Sequence, residues 1–232
     1  GKRFKSKIPK QFTYYKQKKM LFHSIDKAID SKLFKKIVLV INKNHKRYLN
    51  KYNAKEIIII NGGKERYNSA FNALNYLKKF PPKNVYIHDA ARPNFSLNLL
   101  KKINKILRNN LAVVPALKPK DSVKYINKKN NSNLNRNKVY LTQTPQAFNY
   151  KILYKLFKKN SKQITDDASL FINNGFKIKF IKGEKENIKI TDSNDIVNKI
   201  KNLKYGIGFD IHKLKFGKKL FLGGINKFYF KS

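Results

Sequence analysis

Residues 57–87 read IIIINGGKERYNSAFNALNYLKKFPPKNVYI, and the fold follows from this stretch. The isoleucine run Ile57–Ile60 makes a buried strand, because β-branched side chains pack well on a pleated surface. Asn61-Gly62-Gly63 stops it. From Arg66 to Lys79 the apolar residues Ala70, Phe71, Leu74 and Leu77 recur at helical spacing, and the helix ends before Pro81-Pro82. Val85-Tyr86-Ile87 is the next strand. Strand, helix and strand in this order predict an α/β fold, a mostly parallel sheet with helices on both faces.

The same alternation extends outward. KKIVLVI (Lys35–Ile41) is a buried strand upstream; downstream come a helix over Leu97–Leu107 and a strand at Leu111–Val114. Lys118–Gln146 breaks the rhythm. SVKYI and KVYLTQT read as two extended strands joined by the polar stretch Asn127–Asn137, a hairpin arm projecting from the sheet and suited to packing on a partner subunit. Helices over Tyr150–Lys158 and Asp166–Asn173 follow, then strands FKIKFI and NIKI and a helix over Asp192–Leu203. After Lys204 the character changes: YGIGFDIHKL and LFLGGI are strand-like, but residues 205–232 are too few to fold alone. The expected division is residues 1–203 and 204–232.

The 232 residues carry 53 Lys+Arg against 13 Asp+Glu, a formal charge of +40. Clustered cations would favour nucleic acid through counterion release. Here lysine is spread through every segment, Asn and Ile are abundant, Arg is scarce, and no basic stripe interleaves with aromatics. The field attracts anions, phosphorylated substrates included, without groove reading, so no nucleic-acid partner is expected. The absence of Cys excludes disulfides, thiol nucleophiles and zinc-cysteine sites. No apolar run approaches the roughly 20 residues that span a bilayer, and a cytoplasmic protein without a membrane partner is expected.

In open α/β sheets ligands bind beyond the carboxyl ends of the strands. Gly62-Gly63 and Arg66, His88-Asp89 and Arg92, and Lys189 with Thr191 all follow strands. An isolated Asp is ordinarily an N-cap or a surface ion partner. Asp89 differs, because Ala90, Ala91 and Pro93 leave it little competition and let the backbone approach a ligand. A carboxylate there suits Mg²⁺, which takes one or two carboxylates and completes its shell from substrate phosphates. At the start, GKRFKSKIPKQF sets Gly1, Arg3 and Lys10 in a loop ahead of a helix; such a loop can cradle a triphosphate, although in so lysine-rich a chain the pattern taken alone is more often a chance match.

GKRF and IPKQF, NGGKERYNSA, VYIHDAARPNF, YLTQTPQAF, TDDASLFINNG and ENIKITDSND occur in that order. Together they resemble the 2-C-methyl-D-erythritol 4-phosphate cytidylyltransferases, over roughly Gly1–Leu203. GIGFDIHKL followed by LFLGGI resembles the opening of 2-C-methyl-D-erythritol 2,4-cyclodiphosphate synthase, so the whole resembles the bifunctional fusion of the two. The resemblance implies a Rossmann-like nucleotidyltransferase that takes CTP and 2-C-methyl-D-erythritol 4-phosphate. Arg3 and Lys10 would stabilise charge on the triphosphate, and Gly1, Gly62 and Ser69 would bind CTP, the last two at the cytosine. Asp89 would hold Mg²⁺. Lys189 would orient the attacking phosphate together with Arg136 of the arm, which serves the neighbouring subunit in a homodimer. Arg92, Thr165 and Asp166 would hold the erythritol part.

Departures accompany the resemblance. The family carries an apolar first strand, two alanines and a further glycine before the position of Gly1, so the sequence reads as one lacking its first strand. Lys64 stands where many members have Asp beside the base, and Leu134-Asn135 before Arg136 lacks the usual acidic neighbour. Asp210 and His212, two apart on a predicted strand, face one way and suit a divalent metal such as Zn²⁺. A catalytic zinc needs three protein ligands, and the family's third, a histidine, would lie past Ser232. The sequence therefore reads as cut at both ends. A ribitol 5-phosphate cytidylyltransferase shares the His-Asp, Arg-Pro and Gln-Thr-Pro-Gln features; Ala90-Ala91 and Asp166-Asp167-Ala168-Ser169 favour the methylerythritol substrate. An inactive fragment and a basic nucleic-acid-binding protein are the remaining alternatives.

Overall fold

The computed structural model describes residues 8–49, 57–127, 131–159, 166–192, 195–196, 220–222 and 225–227. The chain divides into two compact units, Gly1–Ile200 and Lys201–Ser232. In the second, strands β12 (Leu220–Leu222) and β13 (Ile225–Lys227) pair antiparallel.

The first unit opens with a 3₁₀ turn at Lys10–Phe12 and a short hairpin of β1 (Tyr14–Tyr15) and β2 (Lys18–Lys19). Helix α1 (Met20–Asp30) follows. Strands β3 (Ile37–Ile41) and β4 (Ile57–Asn61) pair in parallel as a sheet of their own. Phe12, Leu21, Ile25, Ile41 and Leu49 close a core over this pair, with Ala90 packed against it.

The principal sheet has five strands: β5 (Asn84–Ile87), β6 (Ala112–Leu117), β9 (Leu141–Thr142), β10 (Gln146–Asn149) and β11 (Lys179–Lys182). β11 runs parallel to β6, whereas β10 lies antiparallel between β6 and β5. β5, β6 and β11 therefore share one direction, as the alternating pattern predicts. The inserted β10 escapes that pattern, since Gln146–Asn149 is too short to show a period. Among the described residues no strand joins the β3–β4 pair to β5.

Helices cover both faces of this sheet, and the strands show why. Successive side chains point to opposite faces. Ala112 and Val114 of β6 and Phe148 of β10 enter one core with α2 (Arg66–Leu77), α4 (Tyr150–Lys159) and α5 (Ala168–Asn173). Val113 and Ala147 enter the other with α3 (Leu97–Leu107) and Ile181. A strand buried on both faces reads as a continuous apolar run, which is the character of Ala112–Val114. Rings of Tyr67, Phe71 and Phe157 stack between α2 and α4, and the Tyr67 hydroxyl donates to the Phe157 carbonyl.

Three expectations need correction in detail. The arm is a hairpin of β7 (Val123–Ile126) and β8 (Asn131–Leu134), so its return strand lies inside the polar stretch read as a connection. Of KVYLTQT only Leu141–Thr142 is strand, and it pairs with β6. Asn187–Ile190 forms no regular strand; it is held by single contacts, such as the Ile190 amide donating to the Ala91 carbonyl at 2.8 Å. The helix expected over Asp192–Leu203 is described only at Asp192, which is not helical, and at 195–196, which are.

Candidate active site at the strand ends

β5 ends at Ile87 and delivers His88, Asp89 and the turn that follows. The Arg92 amide donates to the Asp89 carbonyl at 2.9 Å, closing that turn. The Asp89 amide donates to the Thr144 hydroxyl at 3.0 Å, and that hydroxyl lies 3.1 Å from His88 Nδ1. His88 Nε2 lies 3.1 Å from the Arg92 carbonyl and 3.2 Å from the Ser24 hydroxyl. A carbonyl only accepts, so Nε2 carries the proton and Nδ1 accepts from Thr144. Burial of this ring pulls its pKa down to about 4, which keeps the neutral tautomer at pH 7.

The Asp89 carboxylate faces cations. Lys189 Nζ lies 2.9 Å from Oδ2, and Arg66 Nε lies 3.8 Å from Oδ1. Burial alone would raise this carboxyl; the hydrogen bond and charge of Lys189, with Arg66 behind them, outweigh burial and hold it below the ordinary value. Lys10 reaches the same neighbourhood, its ammonium donating to the Ile190 carbonyl at 2.7 Å. Lys10, Asp89 and Lys189, from three distant stretches of sequence, thus converge around one turn.

Arg66 heads α2, and its guanidinium forks onto the fully buried Asp167, with Nη1 3.1 Å from Oδ1. Burial pushes the Asp167 carboxyl up, opposed by the Arg66 charge. Ahead of Arg66, Gly62 and Gly63 form the cradle between β4 and α2. The Gly63 amide donates to the Ser69 hydroxyl at 3.1 Å, bringing Gly62 and Ser69 together. The Glu65 amide donates to Asn68 Oδ1 at 3.3 Å, half of a reciprocal cap on α2. A Cβ on Gly63 would sit 2.2 Å from Asn68 Cβ, whereas one on Gly62 would meet the Ser69 hydroxyl at 3.1 Å. Gly63→Ala is therefore expected to destabilise the protein by about 1–3 kcal/mol through overpacking. Gly62→Ala should cost less, and thermal melts of the two variants side by side check the order.

Arg92 and Asp166 are engaged by the protein itself. Arg92 Nη1 donates to the Asn187 carbonyl at 2.9 Å and Nη2 to the Thr142 carbonyl at 3.4 Å, while its Nε is buried without a hydrogen-bond partner. Asp166 accepts from the Ser169 amide at 3.0 Å and the Thr142 hydroxyl at 3.3 Å. Arg136 is not brought to Asp89 by contacts within this chain; it is exposed at the base of the arm and donates to the Lys120 carbonyl at 2.8 Å. Gly1, Arg3, Thr165, Asp210 and His212 lie outside the described residues. Sequence reasoning gave no role to Arg66, although it noted its place after a strand, and passed over Thr144 and Asp167. The QTPQ and TDDAS stretches were the signals available for the last two.

A carboxylate at a strand end, lysines converging on it and a glycine cradle at a helix N-terminus, on a sheet of this topology, define an α/β nucleotidyltransferase. The profile of the 2-C-methyl-D-erythritol 4-phosphate cytidylyltransferases matches residues 1–200, and the chain belongs to that family. A bifunctional IspD/IspF enzyme of Pelagibacter ubique is 55% identical over 226 residues, 97% of this chain and 60% of the relative. A 2-C-methyl-D-erythritol 4-phosphate cytidylyltransferase of Thermosipho melanesiensis is 35% identical over 84% of this chain and 90% of its own length. Among solved structures, 4-diphosphocytidyl-2C-methyl-D-erythritol synthase of Anaerococcus prevotii aligns with a TM-score of 0.74 at 35% identity, covering 81% of this chain and 90% of that one. The bifunctional IspDF of Campylobacter jejuni aligns at 0.73 and 29% identity, over 85% of this chain and 50% of its own. The chain spans 57–60% of the length of the bifunctional relatives in Pelagibacter and Wolbachia. Among the described residues no helix is long and apolar enough to cross a membrane.

Proposed function

We propose that this chain transfers CMP from CTP to 2-C-methyl-D-erythritol 4-phosphate. The observation that carries the reading is the 2.9 Å pairing of Lys189 with Asp89 at the end of β5, within a chain of this family. An oxygen of the substrate's 4-phosphate attacks the α-phosphorus of CTP. A P–O bond forms to that oxygen, the bond to the bridging oxygen of the β-phosphate breaks, and pyrophosphate leaves. Such a displacement asks for positioning and charge neutralisation more than for covalent chemistry.

Lys189 orients the attacking phosphate. Lys10, with Arg3, neutralises charge that builds on the triphosphate. Gly62 and Ser69, joined through the Gly63 amide, take the cytosine side, and Gly1 belongs to the loop that holds the triphosphate. Arg92 and Asp166, with Thr165, border the polyol, and the bonds the first two make support a role in shaping that wall. The donor set around Asp89 fits Mg²⁺, since a lone carboxylate suffices when substrate phosphates supply the other oxygens. When bound there, Mg²⁺ would neutralise triphosphate charge, and Asp89 is the residue that would hold it.

Arg136 acts in the site of a second copy of the chain, and the arm is the homodimer contact. Tyr125 and Ile126 of β7 are exposed and apolar, which supports that reading. The second unit is the start of a cyclodiphosphate synthase in the fusion, with Asp210 and His212 as ligands of its divalent metal.

The test is pyrophosphate release by the full-length protein with CTP, Mg²⁺ and a panel of polyol phosphates. Turnover should be at least tenfold faster with 2-C-methyl-D-erythritol 4-phosphate than with ribitol 5-phosphate, on the scale of a site built to hydrogen-bond one polyol. The reverse order would assign the ribitol substrate, and no release with either would sink the reading. Sedimentation of the same preparation as a monomer would remove the homodimer.

A further inference from the structure

We infer that Tyr15 is a positioning residue for the reaction, a buried side chain that braces the segment bearing Lys189 against the chain that follows the Asp89 turn, beside the direct Ile190–Ala91 and Arg92–Asn187 hydrogen bonds. The inference rests on the cytidylyltransferase reading and adds to it a residue outside the motifs. Tyr15 is 1% exposed and touches both segments. Its ring packs with Met20, Ile190 and Ile196, and Ile190 adjoins Lys189. Its hydroxyl meets the Asn94 side chain, with Nδ2 at 2.9 Å and Oδ1 at 3.1 Å, and Asn94 follows the Asp89–Arg92 turn on the run into α3. Its own carbonyl lies 2.6 Å from His23 Nε2, which ties the residue to α1.

The segment that Tyr15 touches has little regular structure to hold it. Residues 187–190 belong to no strand, so Lys189 is placed by individual contacts. The Ile190 amide donates to Ala91, the Ile190 carbonyl accepts from Lys10, and the Ile190 side chain, fully buried, packs on Tyr15. On the Asp89 side, Lys27 of α1 donates to the Pro93 carbonyl at 2.6 Å, and Tyr15 takes Asn94. Tyr15 thus adds a rigid ring to the Ile190–Ala91 hydrogen bond that already joins the two sides.

The hairpin that carries Tyr15 also bears a constraint. Lys16 and Gln17, the turn between β1 and β2, have φ of 46° and 66°, the left-handed region that favours glycine. Such a conformation persists where its surroundings over-determine it, and here the anchored Tyr15 adjoins the turn. A pair of groups that must accept triphosphate and metal between them needs this precision, because a shift of about 1 Å costs about 10²-fold in rate.

The experiment compares Tyr15→Phe, Asn94→Ala and the double variant in the full-length protein. Tyr15→Phe keeps the ring and its packing and removes only the hydroxyl. Each single change should lower kcat by about tenfold, the scale of one lost hydrogen bond, with little change in KM for CTP. The double variant should also lose about tenfold, not a hundredfold, because both changes remove the same tie. Amide exchange of Ile190 and Arg92 should quicken by a similar factor while amides of α3 and β6 keep their rates. Additive losses in the double variant, or exchange that quickens equally throughout, would leave Tyr15 a core residue and overturn the inference. So would unchanged kcat in Tyr15→Phe. Wild-type protein without turnover refutes the cytidylyltransferase reading instead, and the exchange rates still decide whether Tyr15 joins the two segments.

Discussion

Lys189→Ala is expected to lower kcat for CMP transfer by about 10²–10³-fold, the range for removing one preorganised group that stabilises transition-state charge. Two consequences of the geometry add up. The ammonium proposed to orient the attacking phosphate is lost, and among the described residues Asp89 keeps Arg66 as its ion partner, with Nε 3.8 Å away. Stability should hardly change: the Lys189 side chain is 46% exposed, and exposed ion pairs contribute about 0–1 kcal/mol. Lys189→Arg should recover little, because a planar guanidinium does not reproduce a compact ammonium 2.9 Å from a carboxylate. Steady-state kinetics beside a thermal melt check both halves. A kcat within tenfold of wild type would remove Lys189 from the chemistry, and a large fall in Tm would make it a structural residue.

Lys189 was singled out by its place in NIKIT; how it is held was not legible. The β-like run Asn187–Ile190 predicts a strand, yet the segment is irregular and Asn187 is fully buried, donating to the Thr144 carbonyl at 2.9 Å. Periodicity reports which face of an element is apolar, and a segment whose backbone is satisfied by scattered side chains has no such face. The elements with long apolar stripes were read nearly to the residue: the helix expected over Leu97–Leu107 is α3 itself. The four residues of β10 carried no period, so its antiparallel insertion between β5 and β6 could not be foreseen.

The site divides along the same line. Asp89 and the Gly62-Gly63 turn stand out locally, because a lone carboxylate or a glycine pair after a strand is unusual. Arg66 with Asp167, and Tyr15 with Asn94, are pairings across long sequence separations, 101 and 79 residues. The neighbouring motifs mark Asp167, Arg66 and Asn94 singly, and no local pattern says which residue each one meets. Arg92 shows the opposite limit. Its place after a strand marks it for a ligand, while its two terminal nitrogens are spent on the carbonyls of Asn187 and Thr142. An arginine that fastens backbone and one that grips substrate look alike in sequence.

His88 contributes to the response of the fold to acid, beside carboxyls such as Asp89 that are held below their ordinary value. Its folded-state pKa of about 4 lies below the value of 6.5 for an unstrained imidazole, because burial disfavours the charged ring. The unfolded chain therefore binds the proton more readily. The neutral ring's contribution is fully present above pH 6.5 and is lost as pH falls from there toward 4, with no further loss below. A difference of that size is worth about 3 kcal/mol, a large share of the roughly 5–15 kcal/mol that holds a domain together. Protonation would also place a second N–H at Nδ1, so the Thr144 hydroxyl, which accepts from the Asp89 amide, would have to turn its own proton away from the ring. Asp167 works with the opposite sign, since burial raises its carboxyl and favours the folded state as pH falls. The difference between wild type and a His88 variant isolates the imidazole. In urea unfolding from pH 7.5 to pH 4.5, wild type should lose stability steadily through the lower range. His88→Gln should be less stable at pH 7.5, because the flexible amide does not hold an acceptor at the Nδ1 position facing Thr144, but its curve should be flatter by about 2–3 kcal/mol. Parallel curves for the two proteins would mean that His88 titrates alike folded and unfolded, and that the Thr144 contact does not depend on a neutral ring.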